Sequence, residues 1–582
     1  KIAFTYDRLN AEVKSLRVTS DLPDLPMEKP LAENGYDTDV YEPVTDLVMA
    51  PTVVAENSGE SAAAVAAGER RPATLVQAVA GDLTVEDDGT RVSLKDYMAR
   101  LEKKALAGFR IEDEETAAAF ARYMAENGLV DVNVFSTDSE VLKIACAGAP
   151  GIRGVLDFTG DMPEKTIDVV FDTNRSGARI ALIPASAATR ETVSYIQARA
   201  VTVWVQTAGE ELDQIILSGA DGIVTDDWTA ALDAIEAYSS GEQVLTRPTV
   251  IVAHRGFHQT APENSERAAK LAVEAGADAI ECDVHLSADG VVMVNHDSTT
   301  GALMNQNLWI AAATRLQLQS VTFRDKALAG DRMPTLAQLF QAVQGRDTVF
   351  LVEIKSEDPA IIEPLVQTVY TAGMTDRVVF LSYSTEQLQR VRARMPEAAV
   401  GYLAACTRSG ADTAANLKAM AEVLDPLCAF YSCPQESQTT ALTRAARHRG
   451  ILIHPWTVDE YELFEQKYYD GYHGITTDHP DYASYYLEGV EAVRTEERFQ
   501  AGQEGGGVLQ VVRRTRGGSE TVNADCFLQI GGDAVVEMDE TGRLCSETPG
   551  TAVVLLGSTA TLPATQVPYR MYTGPVTLTF SS

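Results

Sequence analysis

From Thr249 onward the chain alternates short runs of Val, Ile and Leu with longer amphipathic stretches, the pattern of parallel strands buried on both faces and covered by helices. The runs predict eight strands: Thr249–His254, Ala279–Val284, Val349–Ile354, Val378–Ser382, Val400–Leu403, Leu427–Tyr431, Ile451–Trp456 and Gly474–Thr477. A hairpin strand, Val291–Asn295, follows the Asp289-Gly290 turn. Eight strand–helix units in succession fit an α/β fold of the (β/α)8, or TIM, barrel type. His254, Glu281, Asp283 and Glu353 fall at or near the C-terminal ends of the first three strands, the barrel face where catalytic groups collect.

The same pattern returns, degraded, in the first 245 residues. Ser136–Leu142 parallels Ser382–Leu388, Val201–Trp204 with Gln206-Thr207 parallels Ile451–His454 with Trp456-Thr457, and Gly222–Asp226 parallels Gly474–Asp478. In that register Arg110 falls on Glu353. The expectation for 1–245 is a degenerate, partial barrel of the same type, structural rather than catalytic, since all eight histidines lie between His254 and His479. Residues 1–90, with Leu22-Pro23-Asp24-Leu25-Pro26 and the Ala-rich Ser61–Gly68, yield no placeable elements. After the barrel of 246–495, Gly502–Gly507 reads as a flexible linker, and alternating β-type runs over 496–582 predict a small β-sandwich.

Composition narrows the function classes. Forty-eight basic against 83 acidic residues give a formal charge of -35, which repels polyanions and argues against nucleic acid as a partner. No apolar run reaches the ~18 residues of a membrane helix. The seven cysteines lack CxxC spacing, so neither a disulfide framework nor a zinc site is indicated. The chain begins Lys1-Ile2-Ala3-Phe4, without a signal-peptide pattern, which leaves a cytoplasmic protein and one with its signal removed both open.

The chemistry is concentrated in three short blocks, His254-Arg255-Gly256, Glu281-Cys282-Asp283 and His296-Asp297. Two imidazoles can move protons near neutral pH, carboxylates can begin a hard-cation site, and an arginine can hold a phosphate oxygen. That inventory suits metal-assisted hydrolysis of a phosphodiester.

Together with Pro262–Ser265, Gly276–Val284, Asp289-Gly290, Pro334–Leu336, Val352–Lys355, Pro455–Val458 and Gly474–Asp478, these blocks resemble, in order and spacing, the glycerophosphodiester phosphodiesterase family over about residues 249–491. Ser265 stands where the family usually has Thr. The resemblance implies a barrel that hydrolyses a small-molecule glycerophosphodiester to sn-glycerol 3-phosphate and an alcohol, with a divalent cation, Ca²⁺ or Mg²⁺. By motif position His254 and His296 would be the acid/base pair, Glu281, Asp283 and Glu353 the metal ligands, and Arg255 and Lys355 the phosphate contacts. Positions 281 and 283 share one side of a strand, and Glu353 would arrive from its neighbour. Trp456 would either wall the glycerol subsite or fill the barrel, and which histidine is the acid is left open. Cys282 should pack against a helix; His285, two beyond Asp283, is on the side that can face the pocket but is assigned no catalytic role, and the other five histidines are assigned to loops or structure.

Two other readings stand beside this one. A phospholipase C or D acting on intact lipid would need an apolar rim, for which Gly301–Gly330 with Leu308-Trp309-Ile310 is the candidate. A surface-binding or scaffold protein would use its outer regions instead. The last region loosely resembles bacterial immunoglobulin-like modules, which implies cell-surface contact and an extracellular or cell-surface location on a bacterium.

Overall fold

The computed structural model describes residues 35–582 apart from residues 210, 240, 326, 327, 329, 409, 503 and 504, together with an antiparallel strand pair, Ile2–Tyr6 with Val13–Val18. The Leu22–Pro26 stretch lies outside the described residues.

The second barrel follows the hydrophobic pattern closely. Its strands are Val250–Ala253, Ala279–Leu286, Val349–Ile354, Val378–Ser382, Val400–Tyr402, Phe430–Pro434, Ile453–Trp456 and Gly474–Thr477, each parallel to the next in chain order, and the eighth pairs back onto the first. The seam between the seventh and eighth is nearly closed, spanned by the Val458 N–H donating to the Thr476 carbonyl at 3.0 Å. The hairpin strand Val292–Val294 pairs antiparallel with the second strand. The sixth strand begins three residues later than the pattern suggests. Leu427–Ala429 are apolar because they close the preceding helix against the base of the barrel: Cys428 turns left-handed at φ 48° and the Ala429 N–H donates to the Leu424 carbonyl at 3.0 Å.

The first barrel is complete rather than partial. Eight parallel strands, from Thr52–Glu56 and Thr74–Ala78 to Gly222–Thr225, close on themselves. The two barrel strands within residues 1–90, where no element was placed, are set among Ala-, Pro- and Gly-rich segments that blur the apolar runs. Ladder registers superimpose the two barrels position by position. Ala55 pairs with Thr225 as Ala253 pairs with Thr477, so Glu56 stands at the His254 position and Asn57 at that of Arg255. Both Asn57 and Arg255 are left-handed, at φ 57° and 55°. Continuing across the sheet, Val76, Ala78 and Arg110 replace Glu281, Asp283 and Glu353. Trp204 replaces His454, and each ring is accommodated by a glycine on the next strand: a Cβ at Gly222 would lie 2.5 Å from the indole, one at Gly474 2.7 Å from the imidazole.

The barrels pack base to base. The polar contacts between them include residues at or just before the N-terminal ends of strands, and Arg392 and the Glu397 carbonyl also bond to Asn174 at the end of its helix. Asp131 accepts from Arg449 Nε at 2.8 Å and Nη2 at 2.6 Å and lies 2.9 Å from Arg153. Arg179 reaches Asp425 at 3.0 Å, and Arg199 reaches Asp347 at 2.8 Å. His448 is held between Thr52 Oγ1 and Glu42, and His473 meets the Gln197 carbonyl. Both C-terminal mouths are thereby left free of the interface. Two of the histidines assigned to structure belong to this base.

The strands after the second barrel form three small sheets around one core, in which Val511, Leu544 and Val554 meet Phe464 and Tyr468 of the second barrel. The largest sheet is built on the antiparallel pair Gly550–Thr561 and Pro568–Ser581, with Gln243–Val244, from between the barrels, added in parallel at Tyr569-Arg570. The glycine run is not a linker. Leu487–Ala492, ahead of it, already pairs with residues 511–515, Gly502 donates to the Ser546 carbonyl, and Gly507-Val508 pairs with Arg543-Leu544.

Because Asp131 is buried, removing Arg449 takes away two of its charge-assisted hydrogen bonds and leaves it with Arg153 alone, from its own barrel. Arg449→Ala is expected to destabilise the chain by about 3–5 kcal/mol, read as a lower denaturant midpoint. A midpoint equal to that of the parent chain would show that the interface does not depend on this pair.

Candidate active site

The C-terminal mouth of the second barrel gathers all eight residues singled out from the sequence. Glu281 and Asp283 project inward from the second strand and Glu353 from the third; all three are buried, with carboxylate oxygens within 4.8 Å of one another. Cys282, between the two acids, faces the helical layer. The loop after the first strand is built to reach these acids. Arg255 is left-handed, and its backbone N–H donates to Glu281 Oε2 at 3.0 Å. Gly256, at φ 77°, packs so closely on the next helix that a Cβ would lie 2.8 Å from the Ala268 backbone. Ser265 caps that helix by accepting from the Ala268 N–H. Asn264, just before it, donates to Asp283 Oδ2 at 2.7 Å and accepts from the Asp283 N–H at 3.1 Å.

Three acids so close in a dry pocket cannot all ionise unaided. Burial, then the charges of Asp283 and Glu353, push Glu281 well above the ordinary carboxylate range. Glu353 is pushed up to about 7, by burial first and by Asp283 second. Burial also opposes the charge on Asp283, but Lys355, the Asn264 hydrogen bond and the His296 charge outweigh it and hold that carboxyl below its usual value. Lys355 Nζ lies 2.7 Å from Glu353 and 3.2 Å from Asp283; Arg255 Nε lies 3.6 Å from Asp283 while its Nη1 donates to Glu263 at 3.0 Å. Glu281 Oε1 is buried with no hydrogen-bond partner among the described residues. An orphaned oxygen within an all-carboxylate donor set suits a hard divalent cation, which would supply the positive charge that Lys355 and Arg255 leave incomplete.

Each candidate imidazole is paired with its own aspartate. His254 Nδ1 is 2.7 Å from Asp478 Oδ1, across the junction of the first and eighth strands, and His258 Nε2 lies 3.6 Å from the other oxygen. Burial would raise the Asp478 carboxyl, but the hydrogen bonds of His254 and His258 hold it well below the usual range. An ionised carboxylate only accepts, so His254 carries a proton on Nδ1, which leaves Nε2 as the nitrogen available for proton transfer. His296 repeats the arrangement with Asp297 Oδ1 at 2.8 Å. His285 Nε2 meets the His296 carbonyl at 3.0 Å and so positions that loop rather than facing substrate. Trp456 packs edge-on against Tyr383 with ring centroids 6.2 Å apart, and the Tyr383 ring lies 5.8 Å from Lys355 Nζ.

Several members of the site escaped the sequence reading. Asp478 lies inside a quoted block, yet its role depends on the eighth strand closing beside the first. Asn264 and Glu263 sit in the Pro262–Ser265 block, which shows no chemistry until the left-handed turn at Arg255 folds it onto Asp283. Tyr383 is beside a repeated Ser and carries no signal of its own.

The sequence profile of the Glycerophosphoryl diester phosphodiesterase family matches residues 254–482. Among relatives, a glycerophosphodiester phosphodiesterase of Caldanaerobacter subterraneus subsp. tengcongensis is 32% identical over 240 residues, 40% of this chain and 95% of that protein. A probable glycerophosphodiester phosphodiesterase 1 of Mycobacterium tuberculosis is 27% identical over 267 residues, 42% of this chain and 95% of its own length. Among solved structures, an Oleispira antarctica phosphodiesterase in complex with the product sn-glycerol-3-phosphate is 22% identical at a TM-score of 0.37, covering 40% of this chain and 94% of that one. A glycerophosphodiester phosphodiesterase from Agrobacterium tumefaciens is 26% identical at a TM-score of 0.35, over 40% of this chain and 97% of the other.

Titration of the metal-stripped full chain with Ca²⁺ or Mg²⁺ in a calorimeter should show one tight site that disappears in Glu281→Gln with Asp283→Asn. Heats that persist undiminished in the double variant would place the ion elsewhere.

Proposed function

We propose, from the premise that this chain belongs to the glycerophosphodiester phosphodiesterase family through its second barrel, that it hydrolyses glycerophosphodiesters to glycerol 3-phosphate and an alcohol by histidine acid/base catalysis at the mouth of that barrel, with one divalent cation. The observation that carries the catalytic part is the duplication of an imidazole–aspartate pair beside a buried carboxylate triad.

A phosphodiester resists attack because its anionic oxygens repel nucleophiles and its alkoxide is a poor leaving group. Arg255 and Lys355 stand at the mouth to meet the phosphate charge. Glu281, Asp283 and Glu353 would hold the cation, whose chemistry is to polarise a phosphoryl oxygen. His254, its tautomer fixed by Asp478, presents Nε2 to take or give a proton, and His296 does the same under the hold of Asp297. One imidazole deprotonates the nucleophile, water or the substrate's own hydroxyl, and the other protonates the departing oxygen. Trp456 and Tyr383 offer apolar faces next to the charged groups, where the carbon skeleton of a glycerol unit fits.

A second reading has one observation in its favour. The segment after His296 exposes Trp309 and, farther on, Leu316, at 64% and 71% of their full surface. The Trp309 residue is bridged to Thr299, near the catalytic loop. Such a rim would suit an intact lipid.

Glycerophosphocholine should be cleaved far faster than intact phosphatidylcholine; the opposite preference would favour the lipid reading. His254→Ala and His296→Ala should each lower kcat by about 10²–10⁴-fold with the fold unchanged. Asp478→Asn, which lets the imidazole carry its proton on the wrong nitrogen, should come close to the His254→Ala loss. Near-parent activity in any of the three would remove that residue from the mechanism. Chelation should abolish turnover and added Ca²⁺ or Mg²⁺ restore it; full activity in stripped enzyme would exclude the cation.

A further inference from the structure

The first barrel has lost the chemistry but kept a mouth. A cavity of about 320 Å³ opens at its C-terminal face, lined in part by Glu56, Asn57, Thr159, Gln206, Thr225 and Asp226. By strand register these are counterparts of the catalytic mouth: Glu56 stands for His254, Gln206 for Trp456 and Asp226 for Asp478. The volume falls at the lower end of the range for small-molecule pockets, ~300–1,000 Å³.

What the cavity would hold follows from its charges. No cation is among the described lining residues, and Arg110 beneath them is spent internally: Nε and Nη2 bind Glu56 at 2.6 and 3.1 Å, and Nη1 binds Asp157 at 2.8 Å. Asp157 in turn accepts from Thr159 Oγ1 at 2.6 Å. No free positive group is left for a phosphate, and Glu56, Asp157 and Asp226 outnumber one guanidinium, so an anion is repelled. Val76 and Ala78, in place of two metal ligands, exclude the catalytic cation as well. No aromatic ring is among the described lining residues, so a quaternary ammonium would lack the cage it needs. What remains are the side-chain amides of Asn57 and Gln206, neither with a hydrogen-bond partner among the described residues, the Thr225 hydroxyl and the Asp226 carboxylate at the rim. Amides that both donate and accept, beside acceptor carboxylates, complement groups that also do both, which is the property of a hydroxyl.

We propose that the mouth of the first barrel binds a neutral polyhydroxylated molecule of about monosaccharide size, a sugar or cyclic polyol, on the face of the protein opposite the hydrolytic site. The site needs no metal and no histidine. It stands independently of the reaction assigned to the second barrel, because the base-to-base packing points the two mouths apart.

Saturation-transfer NMR on the full chain, with glucose, galactose, myo-inositol and glycerol offered singly and sn-glycerol 3-phosphate and choline as charged comparators, tests this. At least one neutral polyol should bind, and Gln206→Leu and Asn57→Gly should each weaken it about tenfold. Glycine is tolerated at the left-handed Asn57 position, and hydrolysis of glycerophosphocholine should be unchanged in both variants. The proposal fails if no neutral polyol binds, if binding survives in both variants, or if the ligand lost in them is sn-glycerol 3-phosphate or choline.

Discussion

Closure of a parallel sheet is the constraint from which the rest of this molecule follows. When eight parallel strands close, every C-terminal end faces one way and every N-terminal end the other. The first and eighth strands become neighbours, which brings His254 and Asp478 to 2.7 Å across 224 residues of sequence. The same polarity separates tasks: side chains at strand starts are free to make the inter-barrel base, while those at strand ends are free to do chemistry. A substitution at Arg449 and one at His254 therefore act at opposite ends of the same barrel.

Within the mouth, electrostatics governs. Burying three carboxylates within 4.8 Å of one another is unfavourable unless positive charge is supplied. The second barrel supplies part of it with Lys355 and Arg255 and leaves Glu281 short. The first barrel resolves the equivalent position internally: Arg110 replaces Glu353 and is clamped between Glu56 and Asp157. One charge reversal, with Val76 and Ala78 in place of two acids, turns a buried carboxylate triad into a neutralised cluster under an open cavity. The two mouths thus share a backbone and differ in what they can hold.

Much of this was legible in the chain. Three strands of the second barrel, Val349–Ile354, Val378–Ser382 and Gly474–Thr477, have the ends that the hydrophobic runs indicate, because strands buried on both faces must be apolar throughout. The candidate acids and histidines were legible for a related reason: polar side chains at the ends of such runs stand out against them. The repeat segments also placed Arg110 on Glu353, as the ladders do. What misled was apolarity with another purpose. Leu427–Ala429 looked like strand because the barrel base buries them, and the glycine run looked like a linker although Gly507 pairs within a sheet and Gly502 donates to the Ser546 carbonyl.

Sequence alone therefore determined the barrel class, the family and the residue types of the candidate site, since each is written in local periodicity or in short ordered blocks. Three-dimensional closure decided the pairing of His254 with Asp478, the turn that lays Asn264 on Asp283, the base-to-base union of the barrels and the cavity left in the first. These depend on distances between segments far apart in the chain, and a distance is set by how sheets close and pack, which no local pattern encodes.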